Sequence, residues 1–505
     1  MDTFLSAIAL VSDPGTLIAI VVSCLFGFTI GALPGLTATM AVALLVPITF
    51  FLSPVAAIAS IVAAAATAIF AGDIPGALLR MPGTPASAAY TDDAYELTRQ
   101  GKAGLVLGLN AACSAFGGVV GTVVLLLFAP LLANVALQFS TFEFFWLACL
   151  GLTCSVFVSS DDPLKGTISL LVGLLIATVG MDYTTGYPRF TFENANLYEG
   201  ISFIPALIGM FALAEIIRTL LGTNEGTTTA LPEQRNVVGA VLRACWTNWR
   251  HMVRGSSLGT AIGALPGAGA DIASWISTAL ARRFSRLPVS WGKGNVEGII
   301  AGSSANNAAL SGAWIPALVF AIPGDTITAI AIGVLYLKGM NPGPTVFINN
   351  ADLVYAVFIC FFLANLFLIP IGLVAMRFSR MVLAIHRQYL MPPLLVLAVI
   401  GSFAIDNAVF GIAVMLVLGI LAYIMEECRF PIAPMVLGIV LGRLLEQHMM
   451  QSLISTQGSF VGLFERPIAG ILGAITLLVW FSPMLRWLWW KWRARDHFDS
   501  QLGGR

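Results

Sequence analysis

A nine-residue block occurs twice in this chain and limits the folds open to it more than any other feature. Gly27-x-x-x-Gly31-Ala32-Leu33-Pro34-Gly35 returns as Gly259-x-x-x-Gly263-Ala264-Leu265-Pro266-Gly267, 232 residues later (266 minus 34). Pro–Gly in apolar surroundings frees amides and carbonyls that lipid cannot satisfy. Membrane proteins tolerate such a break only where it is buried in protein or lines a water-filled cavity. Matching interruptions in two halves of one chain point to a transporter binding site.

Composition places the rest of the chain in the bilayer. Of its 505 residues 58% are hydrophobic and only 10% charged, with mean hydropathy +0.89. A soluble domain carries about 25% charged residues. The expected fold is an all-α polytopic membrane protein of about 10–12 transmembrane helices with broken or re-entrant hairpins. The clearest spans are 15–33, 53–71, 105–131, 143–160, 164–181, 200–222, 350–375, 407–425, 431–445 and 466–490.

Several function classes fall away. A net charge of zero gives no ground for nucleic-acid binding. The segment Met1–Val11 lacks a basic stretch and carries Asp2, so no cleavable signal peptide is expected. The seven cysteines are scattered without metal or disulfide spacing. The four histidines lie far apart, and His-Glu-x-x-His and Walker A are absent from the sequence. The chain reads as a non-enzyme without a cofactor, so transport would draw on an ion gradient or a separate ATPase.

The polar stretch Thr223–Arg254 divides the hydrophobic sequence. We read residues 1–222 as membrane repeat 1, 223–256 as a cytoplasmic or interfacial linker, 257–490 as membrane repeat 2 and 491–505 as a cytoplasmic tail. Residues 141–182 read as helix, charged turn, helix, and 407–446 repeat that plan. Basic residues in linker and tail would make the repeats parallel. Arg282, Arg283, Arg286 and Lys293, with no charged counterpart near Phe51–Pro54, favour an inverted arrangement. The balance leans to inverted.

Four segments carry the signals of a binding site: Gly31–Met40, Gly263–Ile272, Gly72–Thr91 and Asn306–Thr328. Each combines Pro–Gly with small residues and hydroxyls, as expected where a half-helix starts and aims unpaired N–H groups at an anion. The candidate substrate- or ion-binding residues are Gly31, Pro34, Gly35, Thr37, Arg80, Pro82, Gly83, Thr84, Gly263, Pro266, Gly267, Ser304, Asn306, Asn307, Pro323 and Gly324. Thr39 and Ser87 add hydroxyls. Ionisable residues at membrane depth are costly and usually functional, which makes Asp73, Asp271 and Asp325 candidate coupling-ion ligands. Asp73 and Arg80 could form an ion pair, or Arg80 could grip an anionic substrate. Plainer readings stand beside these: Gly-x-x-x-Gly as a helix-packing motif, and Asn306–Asn307 as interhelical glue.

The ordered blocks resemble the large permease subunit of the tripartite tricarboxylate transporters over nearly the whole chain. They include GALPG at 31–35, GALPGAGA at 263–270 and PGTPASAA at 82–89, followed by Asp93-x-Tyr95 and Gly101-Lys102-Ala103. Further blocks are Gly180-x-Asp182, Thr185-Gly186, Arg189-Phe190-Thr191-Phe192, Gly292-Lys293-Gly294 and Ser304-Ala305-Asn306-Asn307-Ala308. Ile322-Pro323-Gly324, Asn341-Pro342-Gly343-Pro344, Leu441-Gly442, Leu445-Glu446 and Arg466-Pro467 complete the set.

The resemblance implies a bacterial inner-membrane secondary transporter for carboxylates, driven by Na⁺ or H⁺. Its partners would be a small membrane subunit, a periplasmic substrate-binding protein, the carboxylate substrate and membrane lipid, with a homodimer left open. The chain departs from the family pattern at several places. Gly302-Ser303 stands where Pro-Glu is usual, Ala71-Gly72-Asp73 where Gly-Gly-Ser is usual, and Arg80 where Asn is common. A passive channel or scaffold subunit, and more remotely an intramembrane enzyme, are the competing readings.

Overall fold

The computed structural model describes residues 2–33, 36–158, 162–221, 237–267, 269–285, 291–383 and 387–480. Among them the chain is helical almost throughout. Two short strands, Gly180–Met181 and Pro188–Arg189, form an antiparallel ribbon with Gly180 opposite Arg189.

Among the described residues six helices are long and apolar enough to cross a membrane: Pro14–Gly31, Pro54–Leu79, Ala103–Ala136, Phe203–Leu221, Ala351–Val374 and Val409–Glu427. Shorter apolar helices include Thr141–Phe157, Pro163–Ala177 and Pro467–Trp480. The sequence prepares their starts. Asp13, Ser53 and Asp162 each precede a proline and accept a hydrogen bond from a first-turn amide, so cap and breaker act together. Large side chains such as Leu127, Leu131, Leu171, Leu175, Leu366 and Ile369 are exposed. Lipid solvates that surface without penalty.

Two helices form the interior. Pro54–Ala71, largely alanine, is buried along almost its whole length, and so is Val296–Phe320. Each receives a glycine-bearing helix at close range. A Cβ at Gly27 or Gly31 would collide with the carbonyl oxygens of Ala64 and Ala68. One at Gly259 or Gly263 would collide with those of Ala305 and Ala309. Only glycine permits this backbone approach. Gly-x-x-x-Gly therefore packs helices in both copies, and Gly117 and Gly121 do the same against Ser304 and Ala308.

The breaks follow directly from this packing. The first glycine helix ends at Gly31 and the chain resumes helix at Ala38, capped by Thr37. The second ends at Gly263, turns through Gly267 in a left-handed conformation (φ +77°) and resumes at Gly269. The buried helices end alike. Arg80 closes the short helix Asp73–Leu79 at φ 57°, and Ala321 closes Val296–Phe320 at the same angle. Each is followed by x-Pro-Gly. The offset from Ala64 to Ala305 and from Arg80 to Ala321 is 241 residues in both cases (305 minus 64, 321 minus 80).

One expectation needs correction here. Ser304, Asn306 and Asn307 do not open a half-helix. They lie in the middle of Val296–Phe320, which begins at Asn295, where the side chain accepts from the Glu297 amide at 2.7 Å. Polar side chains mid-helix resemble a start signal in sequence, but here Asn307 bonds to neighbouring helices and Ser304 bonds back within its own. Residues 237–256 of the linker region are largely helical, within Val237–Thr247 and Trp249–Gly263. Arg286, residues 223–236 and the basic segment after Trp480 lie outside the described residues.

Candidate functional site

The four broken segments meet, and they meet reciprocally. The Thr39 hydroxyl, at the restart of the first break, shares a 3.0 Å hydrogen bond with that of Thr326, just past Pro323–Gly324. Asp271, at the restart of the second break, accepts at 3.1 Å from the Ala86 amide, just past Pro82–Gly83. Trp275 Nε1 donates to the Pro85 carbonyl beside it at 3.1 Å. Each half thus lays its restarted helix against the Pro–Gly turn of the other.

Within this junction the second half closes on itself. A Cβ at Gly324 would lie 2.7 Å from Ala313 Cα and 2.9 Å from the Gly263 carbonyl, and one at Gly269 would lie 3.5 Å from Asp325 Cβ. Pro266 and Ile322 face Gly151, and Gly267 abuts the Ser155 backbone, so helix Thr141–Val158 forms a wall. Gly31, Pro82, Gly83, Thr84, Gly263, Pro266, Gly267, Pro323 and Gly324 thus belong to one region. Pro34 and Gly35 lie outside the described residues.

Several candidate hydroxyls and acids are already engaged. Thr37 caps its helix by accepting from the Met40 amide at 3.2 Å. Thr84 and Ser87 bond each other's main chain, with Ser87 Oγ donating to Thr84 O at 2.8 Å. Asp325 accepts from the Thr328 amide and hydroxyl, both at 2.7 Å, in a capping box. Asp271 remains exposed.

Arg80 and Asp73 do not pair. Arg80 sits at the far end of the short helix, where its left-handed backbone turns the side chain outward to Asp92 at 2.9 Å. Asp73 points the other way and is 2% exposed. Its Oδ1 accepts from the Tyr90 hydroxyl at 2.6 Å, and its Oδ2 lies 3.5 Å from Ser303 Oγ. The single Ser303 proton is shared between that contact and the Asn110 carbonyl, which lies at 3.1 Å, and Ser114 Oγ approaches at 3.4 Å. Positions 73 and 303, both singled out in the sequence, therefore meet in one contact.

Asn306 and Asn307 separate into different roles. Asn307 Nδ2 donates to the Ser114 carbonyl at 3.1 Å and to Asn365 Oδ1 at 2.7 Å, joining three helices. Asn306 faces the Tyr90 hydroxyl instead. Ser304 bonds back to Ile300 O at 2.7 Å. Sequence reasoning missed Tyr90, Asn110, Ser114, Ser303 and Asn365. The available signal was isolated polar residues within apolar runs.

A second polar cluster lies on the loop joining Pro163–Ala177 to Phe203–Leu207, beside a cavity of about 720 Å³. Arg189 forks onto Glu446 at 2.7 and 2.9 Å and reaches Asp182 at 3.3 Å. The Thr185 hydroxyl and amide, then the Thr184 hydroxyl, hold the Asp182 carboxyl well below the usual carboxylate range. The Glu446 hydrogen bond raises Arg189 further. The motif residues Asp182, Arg189 and Glu446 thus fasten this loop to helix Ile432–Ser455.

Comparison with known proteins agrees with this architecture. The model of the Tripartite tricarboxylate transporter TctA family matches residues 17–437. A protein of Agrobacterium vitis, described as an uncharacterized 52.8 kDa protein in the TAR-I ttuC' 3' region, is 35% identical over 465 residues, 90% of each chain. Another from the same organism, described as an uncharacterized protein in the TAR-II ttuC' 3' region, is 32% identical over 231 residues, 45% of this chain and 96% of its own. No solved structure matches. On this evidence of sequence and broken-helix architecture, the chain belongs to the tripartite tricarboxylate transporter TctA family.

Proposed function

We propose that this chain is the permease subunit of a binding-protein-dependent secondary transporter in the bacterial inner membrane. It imports organic di- or tricarboxylate anions by symport with Na⁺ or H⁺. The family supports a transporter permease over an enzyme and implies a small membrane subunit and a periplasmic binding protein. The observation that carries the mechanism is the reciprocal junction: Thr39 on Thr326 and Asp271 on Ala86. Restarted helices there offer amide-rich ends to an anion. The two halves act as inverted repeats, and the junction opens and closes by an elevator-type shift of the hairpin-bearing part.

Reconstitution with the small subunit and binding protein tests the reading. Uptake from a mixed carboxylate pool should be selective and should follow an imposed Na⁺ or proton gradient. Non-saturating flux indifferent to both gradients would establish a channel instead. Thr39→Cys together with Thr326→Cys tests the motion. Oxidation should stop uptake and reduction restore it, whereas full uptake by the cross-linked protein would contradict the shift.

A further inference from the structure

The three candidate carboxylates of the hairpin region differ in what holds them. Asp325 is consumed by its capping box, and Asp271 is exposed and accepts from the Ala86 amide. Asp73 alone among the three is closed off, at 2% exposure. No Lys, Arg or His pairs with it among the described residues. Its contacts are the hydroxyls of Tyr90 and Ser303. Hydroxyl donors orient a carboxylate but do not cancel its charge, and a buried charge without a counter-charge is strongly disfavoured.

The surroundings contain unused polar capacity. Asn110, whose carbonyl receives Ser303, is fully buried, and both atoms of its side-chain amide lack partners among the described residues. Asn306 is 2% exposed, and its side chain lies within reach of the Tyr90 hydroxyl. Native interiors rarely leave such groups unpaired without an ion, a water or a function to explain them. The local oxygens belong to one carboxylate, two hydroxyls and amide groups. That hard, singly charged set suits an alkali cation. A divalent ion usually draws more carboxylates.

We propose that Asp73, Tyr90, Ser303 and Asn110 form a buried Na⁺ site, with Asn306 completing its polar wall. This rests on the reading of the chain as a cation-driven permease and assigns the driving ion its place. The site also connects to the junction. Tyr90 ends the segment that carries Pro82–Gly83, and the Ala86 amide in that segment holds Asp271. Gly83 N donates to Gly72 O at 3.1 Å, directly before Asp73. An ion on Asp73 therefore fixes the Pro–Gly turn against which the second half closes. Empty, the site releases it.

The test is ²²Na⁺ binding to the purified three-component complex, alongside Na⁺-driven uptake. Wild type should bind saturably. Asp73→Asn should weaken binding at least about tenfold, and Asp352→Asn should not. Moving the carboxylate across its contact, as Asp73→Ser with Ser303→Asp, should recover binding that Asp73→Ser alone loses. Equal ²²Na⁺ affinity in wild type and Asp73→Asn, with uptake intact in both, would overturn the site and leave the transporter reading standing. A wild type that binds no ²²Na⁺ but shows a protonated-carboxyl infrared band lost in Asp73→Asn would overturn Na⁺ as the occupant. Absence of driven uptake by wild type under either gradient would instead sink the transporter reading.

Discussion

Asp73 and Asp182 are both carboxylates in short polar segments, and the protein treats them in opposite ways. Asp182 lies in a loop outside the spanning helices, surrounded by threonine donors and the Arg189 guanidinium, which Glu446 shares. Its charge is satisfied by the chain itself. Asp73 is buried inside the membrane domain, holds two hydroxyls and has no cationic side chain. The first arrangement fastens a loop to a helix. The second leaves a charge for something outside the chain to neutralise. Where a fold supplies complete counter-charges to one acid and none to another, the second is the better marker of function.

The comparison can be broken by experiment. The largest effect should come from Asp73→Asn, which should lower gradient-driven uptake about 100-fold without lowering the melting temperature of the complex. A large loss of stability with cation binding retained would make Asp73 a structural residue. Arg189→Ala should do the reverse. It leaves Glu446 and Asp182 without their fork and should cost about 2 kcal/mol of stability, read by thermal or denaturant unfolding, with ²²Na⁺ affinity unchanged. Tyr90→Phe removes one donor from Asp73 and should shift the Na⁺ dependence of uptake by about tenfold.

The smallest effect concerns pH. Because the Asp182 carboxyl is depressed when folded, its contribution is present above the ordinary carboxylate range and is lost as pH falls through the depressed value. The protection factors of the loop amides at residues 180–200, with the intrinsic pH dependence of exchange divided out, should therefore hold steady from neutrality down to about pH 4. They should fall only below that. Asp182→Asn should remove this acid-side step.

Much of the fold was legible because its physics is local. Ser53-Pro54 and Asp162-Pro163 announce helix starts, and long apolar runs announce spans. The two breaks after Gly31 and Gly263 were legible for the same reason. What the glycines pack against was not, since the carbonyls of Ala64 and Ala305 lie on helices distant in sequence. Helix Val296–Phe320 was misread for a related reason. Asn306 and Asn307 resemble a helix start until Ser114 and Asn365, on other helices, supply a partner for Asn307.

The candidate site was half visible. Its Pro–Gly turns carry a local signature, and the structure gathers the described ones in one region. Tyr90, Asn110 and Ser303 carry none: a tyrosine after a loop, one of two asparagines in a 34-residue helix and the first of two adjacent serines. Only the folded chain joins them to Asp73. Asp73 and Ser303 stand 230 residues apart in the sequence, and in the structure they share one contact.

The most direct test is gradient-driven uptake in proteoliposomes holding the permease, its small subunit and its binding protein, comparing wild type with Asp73→Asn at equal incorporation. The account predicts that wild type accumulates a carboxylate against its gradient when Na⁺ is imposed. Asp73→Asn should at most equilibrate it. Accumulation by Asp73→Asn at the wild-type rate and Na⁺ dependence would contradict the account.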